Sequence, residues 1–219
     1  MDLVETASWR ITTDEPESLI QALYVRDAAG LRPQIEPAIP ALEPAISSGG
    51  AGSTAGSTAS VQWGGWWRQL LEGGGAWPQG KNPSDLAKLQ DDAVIQRSFC
   101  WRSEYLPPDF AGLSLSPELQ SLVRVHYEAA QLWSQARKHE FVALATAPQR
   151  MSLEGEIVRA VEQGRGRKAR PFEFDIRVLP VTGVQAWRLS PGRALVTRAL
   201  FKEREAYRTW LQPILEEVA

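Results

Sequence analysis

The sequence predicts an α+β fold, and three features carry that prediction. A run from Ser116 to Thr146 holds apolar residues at helical spacing. Phe172, Phe174, Ile176 and Val178 alternate with Glu173, Asp175 and Arg177. The chain closes on a second apolar stripe with the helical period of about 3.6. Together they imply a small antiparallel sheet built mainly from residues 171–198, with the N-terminal strand added and several helices covering it.

Taken in order, residues 7–12 (Ala-Ser-Trp-Arg-Ile-Thr) suit a short strand, and Thr13 or Asp14 offers a helix cap after it. Leu19, Ile20, Leu23 and Ala28 then keep helical spacing, and Gly30 is a natural stop. Residues 1–31 thus form a strand-helix segment. From 32 to 60 the composition changes to Pro33, Pro37, Pro40 and Pro44 followed by a Gly/Ser/Thr/Ala tract. Such residues bury little, so this stretch is expected to be a linker or insertion, flexible over 46–60.

The remainder, 61–219, is expected to form the main body, as one globular domain with 1–31. Trp63, Trp66, Trp67, Leu70 and Leu71 fall on one helical face, with Gly64 and Gly65 weakening the first turn. Such a stripe is either core or a contact surface, and packing is the commoner use of indole area. A helix is expected from a Ser84 cap. The clearest helix starts at Ser116-Pro117 and runs toward Pro148, with Leu119, Leu122, Val123, His126, Ala130 and Trp133 inward. Another covers about 152–163, ending at Gly164.

The alternating strand that follows should have one buried and one wet face. Ser190-Pro191-Gly192-Arg193 matches a type II turn joining two further strands. The last helix presents Tyr207, Trp210, Leu211, Ile214, Leu215 and Val218, despite Pro213. Trp210 is the expected anchor, against Leu195 and Val196 of the hairpin.

Composition narrows the function classes. Of 219 residues, 43% are hydrophobic and 23% charged, and the formal net charge is −2, so no global positive field draws the chain to nucleic acid or anionic lipid. Cys100 is the single cysteine, which excludes an intrachain disulfide and favours a reducing compartment. The first residues lack a signal-peptide pattern and no apolar run is long enough to span a bilayer. A cytoplasmic, soluble protein is expected, and an Ala- and Arg-rich, Lys-poor composition has a bacterial flavour.

Motifs that resemble chemistry fail on context. Gly75 to Lys81 matches a phosphate loop, but Asn82 replaces the magnesium-binding hydroxyl, and Pro78 and Pro83 remove amide donors. Gly164-Arg-Gly166-Arg-Lys-Ala169 matches a dinucleotide fingerprint with helix and strand in inverted order. His126 and His139, considered with Glu128 and Glu140, lie about 19 Å apart along one helix and cannot share an ion. No metal and no cofactor are expected. Cys100, between Phe99 and Trp101, resembles a buried small hydrophobe, and the Ser and Cys nucleophile signatures are absent.

Two candidates remain. His126 interrupts an apolar stripe, which suits a satisfied core histidine or a catalytic group working with Glu140, Arg137 or the C-terminal sheet. Arg165, Arg167, Lys168 and Arg170 could bind an anion or a partner, although cations near a helix C-terminus are also favoured by the dipole and by solvent. The leading expectation is a non-catalytic interaction or regulatory protein with a protein partner. The alternative is an enzyme around His126. A third class, anion or nucleic-acid binding through 165–170, is weaker.

Overall fold

The computed structural model describes residues 9–46, 57–73 and 105–219. The expectations for a helix from Ser84, for the Gly75–Lys81 loop and for Cys100 lie outside them, as do residues 47–56 of the linker. The elements in chain order are β1 (Arg10–Asp14), α1 (Glu17–Ala28), α2 (Ser57–Gly73), a 3-10 turn at Ala111–Leu113 and α3 (Pro117–Ala145). There follow α4 (Pro148–Met151), α5 (Leu153–Arg165), β2 (Glu173–Leu179), β3 (Ala186–Ser190), β4 (Arg193–Thr197), α6 (Arg198–Lys202) and α7 (Arg204–Val218). The chain divides into two compact units, one of Met1–Ile20, Ile39–Ala45 and Trp133–Ala219, the other of Gln21–Ala38 and Ile46–Leu132.

The first unit holds the sheet, in the order β1-β2-β4-β3. It is α+β as expected, but the sheet is mixed. β1 pairs parallel to β2 and β2 parallel to β4, leaving only the β3–β4 hairpin antiparallel. The mixed pairing has a topological cause: a two-residue turn forces antiparallel pairing on β3 and β4 alone, whereas strands that reach their neighbours through longer connections are free to run parallel.

One face of the sheet is apolar. Phe174, Ile176 and Val178 of β2 and Ala194 and Val196 of β4 pack with Leu153, Ile157, Val158 and Val161 of α5 and Tyr207, Leu211 and Leu215 of α7. Tyr207 is fully buried and Trp210 only partly so, its ring 5.5 Å from that of Tyr207. The aromatic anchor of the last helix is therefore Tyr207, not Trp210. Val196 meets it as expected; Leu195 points to the other face, because successive strand residues alternate.

That other face is wet only at its start, where Glu173, Arg10 and Thr12 are exposed, and is closed toward the end of β2. Arg177 is 1% exposed, and Asp175 accepts from Thr12 Oγ1 at 3.3 Å, Arg177 Nε at 3.0 Å and Arg193 Nε at 3.3 Å. Burial here acts on charges that arrive paired, which alternation alone cannot reveal.

Turn chemistry follows the backbone. Gly30 and Gly166 take φ 64 after α1 and α5, as left-handed helix stops do, so α5 ends at Arg165 and not at Gly164. Gly192 is absent from the left-handed residues, which removes the expected type II turn. Its role is close approach: a Cβ there would meet the Glu173 carbonyl oxygen at 3.0 Å, and its own carbonyl accepts from Asp175 N at 2.8 Å.

Within the stretch expected as a linker, Ile39 and Leu42 are buried and Leu42 bridges Val181. In the second unit Ser57–Ser60 begin α2, so Gly64 and Gly65 sit in a helix interior and not in its first turn. The tryptophan stripe is core there: Trp63, Trp66 and Trp67 are 0%, 7% and 1% exposed. Trp63 and Trp67 stack at 5.3 Å, and Trp63 Nε1 donates to the Ala22 carbonyl at 2.7 Å. Gln62 Oε1 accepts from Leu119 N at 2.9 Å, satisfying one of the free amides at the start of α3.

Candidate functional site

His126 stands on α3, half-buried, and burial holds its imidazole below the ordinary value. Glu140 is fourteen residues further along the same helix, about 21 Å of rise, and Arg137 about 16 Å, so neither reaches the ring. Arg165, Arg167, Lys168 and Arg170 are all exposed around the C-terminus of α5. Arg165 donates to the Glu216 carbonyl, and Lys168, its side chain 90% exposed, pairs with Glu162 at 3.2 Å. The Glu162 carboxyl is held below the usual range by the Ala169 amide first and by Lys168 second. The Glu162 contacts close the turn after the helix, and Arg165 ties its end to the last turn of α7.

The structure brings together a different set of charges, which no sequence motif marks. Parallel strands β1 and β4 end at Asp14 and Thr197, and the residues that follow them, Glu15 and Arg198, meet. Glu15 is 0% exposed. Arg198 donates to Glu15 Oε1 from Nε at 3.2 Å and from Nη2, to Glu140 Oε2 at 2.9 Å and to the Arg137 carbonyl at 3.0 Å. Lys138 pairs with Asp14 and donates to the Glu15 carbonyl at 3.2 Å. Glu15 Oε2 has no hydrogen-bond partner among the described residues. Burial pushes the Glu15 carboxyl up to about 7, against the opposing pull of Arg198 and Lys138.

The local sequence accounts for this placement. Thr197 caps α6, its Oγ1 accepting from Leu200 N at 3.2 Å, which fixes the direction in which Arg198 leaves the sheet. Pro16 supplies carbonyl acceptors for Leu19 N and Ile20 N at the start of α1, turning the chain immediately after Glu15. A lone Glu between Asp14 and Pro16 reads as an ordinary acidic helix start; only the pairing of β1 with β2 and of β2 with β4 brings it near Arg198.

A second feature lies on the solvent side of α3. Val125 is 75% and Leu132 69% exposed, with Ala129 exposed between them. Among the described residues no group of three or more His, Cys, Asp and Glu side chains converges to hold a metal, and no helix is long and apolar enough to cross a membrane. Comparison with protein-family models, curated proteins and solved structures finds no match.

Proposed function

We propose that the chain is a non-catalytic interaction protein, and that the outer face of α3 at Val125, Ala129 and Leu132 receives a helix of a protein partner. The exposure of two large apolar side chains, 75% and 69%, carries this reading. Positions i, i+4 and i+7 line one side of a helix, so the three residues form a stripe and not a scatter. Single exposed apolar residues are normal on any surface; a stripe with a small residue at its centre suits the close approach of a second helix. A net charge of −2 supports a protein partner over nucleic acid, and a bacterial cytoplasm is the setting we assign.

The test is the double variant Val125→Glu, Leu132→Glu, compared with wild type by co-purification under native conditions. Neither position is buried, so folding should be unchanged, and the partner seen with wild type should be lost. Identical sets of co-purifying proteins would sink the proposal. An enzyme around His126 is the competing reading, favoured by one observation: burial holds the imidazole below its ordinary value, a shift toward the neutral form that a general base uses. Under that reading His126→Asn, not the α3 surface variant, abolishes the cellular activity.

A further inference from the structure

Ion pairs at a surface are readily remade, but the pair of Glu15 and Arg198 is set apart by where it lies and by what it lacks. Glu15 is fully buried at the corner between β1 and α1, and half of its acceptor capacity is unused, because Oε2 has no partner among the described residues. A buried carboxylate with an empty oxygen bears a desolvation cost that its one filled oxygen only partly offsets. Uptake of a proton from solvent at Oε2 removes the charge and so relieves that cost.

Among the described residues, the charges that act on Glu15 are Arg198 from α6, Lys138 from α3 and Asp14 from β1; Glu140 and Arg137 of α3 are tied to Arg198 and to each other, and Glu17 of α1 accepts from Ser134 of α3. Arg198 divides its donors among Glu15, Glu140 and the Arg137 carbonyl, so the ionised Glu15 completes a three-way tie between the β1–α1 corner, α6 and the second half of α3. Lys138 and Arg137 are engaged with Asp14 and Glu140 and leave Oε2 uncovered.

We propose that Glu15 is a proton-binding site that acts as a pH-sensitive latch, tying the β1–α1 corner to α6 through a charged pair with Arg198 when ionised and loosening that tie to a neutral hydrogen bond at Oε1 when a proton occupies Oε2. The carboxyl's rise from 4.5 to about 7 puts the change at neutral pH. The sign follows from linkage. A folded-state value above the unfolded one means that the folded protein holds more protons between those values, so the stabilising effect of the proton is complete below about 4.5 and disappears as pH rises through about 7.

The experiment is a carboxyl titration by NMR on the full wild-type chain labelled with ¹³C-glutamate, read together with the Arg198 Nε–H resonance. Both signals should move with one midpoint near 7. In parallel, denaturant unfolding of wild type and Glu15→Gln should show the ratio of their folding constants falling roughly 70-fold from about pH 5 to about pH 8, the change expected for values of 4.5 and about 7. Arg198→Gln removes the cation that opposes protonation and should move the midpoint higher still. A Glu15 midpoint near 4.5, or an Arg198 signal that ignores it, overturns the proposal. The wild-type titration decides even if Glu15→Gln does not fold.

Discussion

Arg150→Met removes a guanidinium that is held from three sides while keeping most of the aliphatic stem. Arg150 is 5% exposed; its Nη1 and Nη2 reach Glu154 at 2.7 and 2.5 Å, and its charge lies 3.9 Å from the Phe201 ring centre and 4.4 Å from that of Tyr207. The Tyr207 hydroxyl donates to the same carboxylate at 2.9 Å. After substitution Glu154, its side chain 17% exposed, retains that hydroxyl but loses its cation. Removing one member of a buried pair costs about 3–5 kcal/mol, and the total stability of a small domain is about 5–15 kcal/mol. Urea unfolding followed by circular dichroism should show a loss in that range. Adding Glu154→Gln removes the stranded charge yet leaves Tyr207 an acceptor, so the double variant should recover at least half of the loss. If Arg150→Met stays within about 1 kcal/mol of wild type, or the second substitution simply adds its own cost, the cluster is not a coupled unit.

Three further outcomes follow from the same packing. Gly65→Ala should stabilise by up to about 1 kcal/mol, since a Cβ there meets nothing within 4 Å in a helix interior, whereas Gly192→Ala should destabilise through its contact with the Glu173 carbonyl; melting curves of the pair must move in opposite directions. Trp63→Phe strips the Ala22 carbonyl of its indole donor and leaves a void, so a loss of about 2 kcal/mol or more is expected in thermal or urea unfolding, and a neutral result contradicts the burial of the stripe. Replacing Arg165, Arg167, Lys168 and Arg170 together by Gln should cost no more than about 1 kcal/mol, since these side chains are exposed; a larger loss shows that they bear on the fold.

Periodicity made much of the fold legible. The run from Ser116-Pro117, the alternating strand at 172–178 and the closing helix are all where their spacing puts them, because each is amphipathic against a core. What failed was decided by partners distant in sequence. Parallel pairing of β1 with β2, the burial of Arg177 against Asp175, and the choice of Tyr207 over Trp210 as anchor depend on which elements meet, and no local pattern states that. The charge cluster was hidden for the same reason, since Glu15 and Arg198 are 183 residues apart in the chain. His126 was visible as a break in an apolar stripe, but two of its expected neighbours, Arg137 and Glu140, lie too far along the same helix to reach it. The stripe of Val125, Ala129 and Leu132 was also open to inspection, and was obscured because the inward residues of the same helix gave the stronger pattern.

The central claim is that the outer face of α3 binds a protein helix, and site-specific photocrosslinking tests it most directly. A crosslinking residue at position 125 or 132 should capture one partner as a discrete adduct, while the same group at Arg124, exposed but about 100° around the helix, should capture little. Peptide mapping of that adduct should end in an amphipathic helix of the partner. Equal capture from positions 124 and 125, or none from 125 and 132 in cells that produce the protein at its native level, would contradict the account.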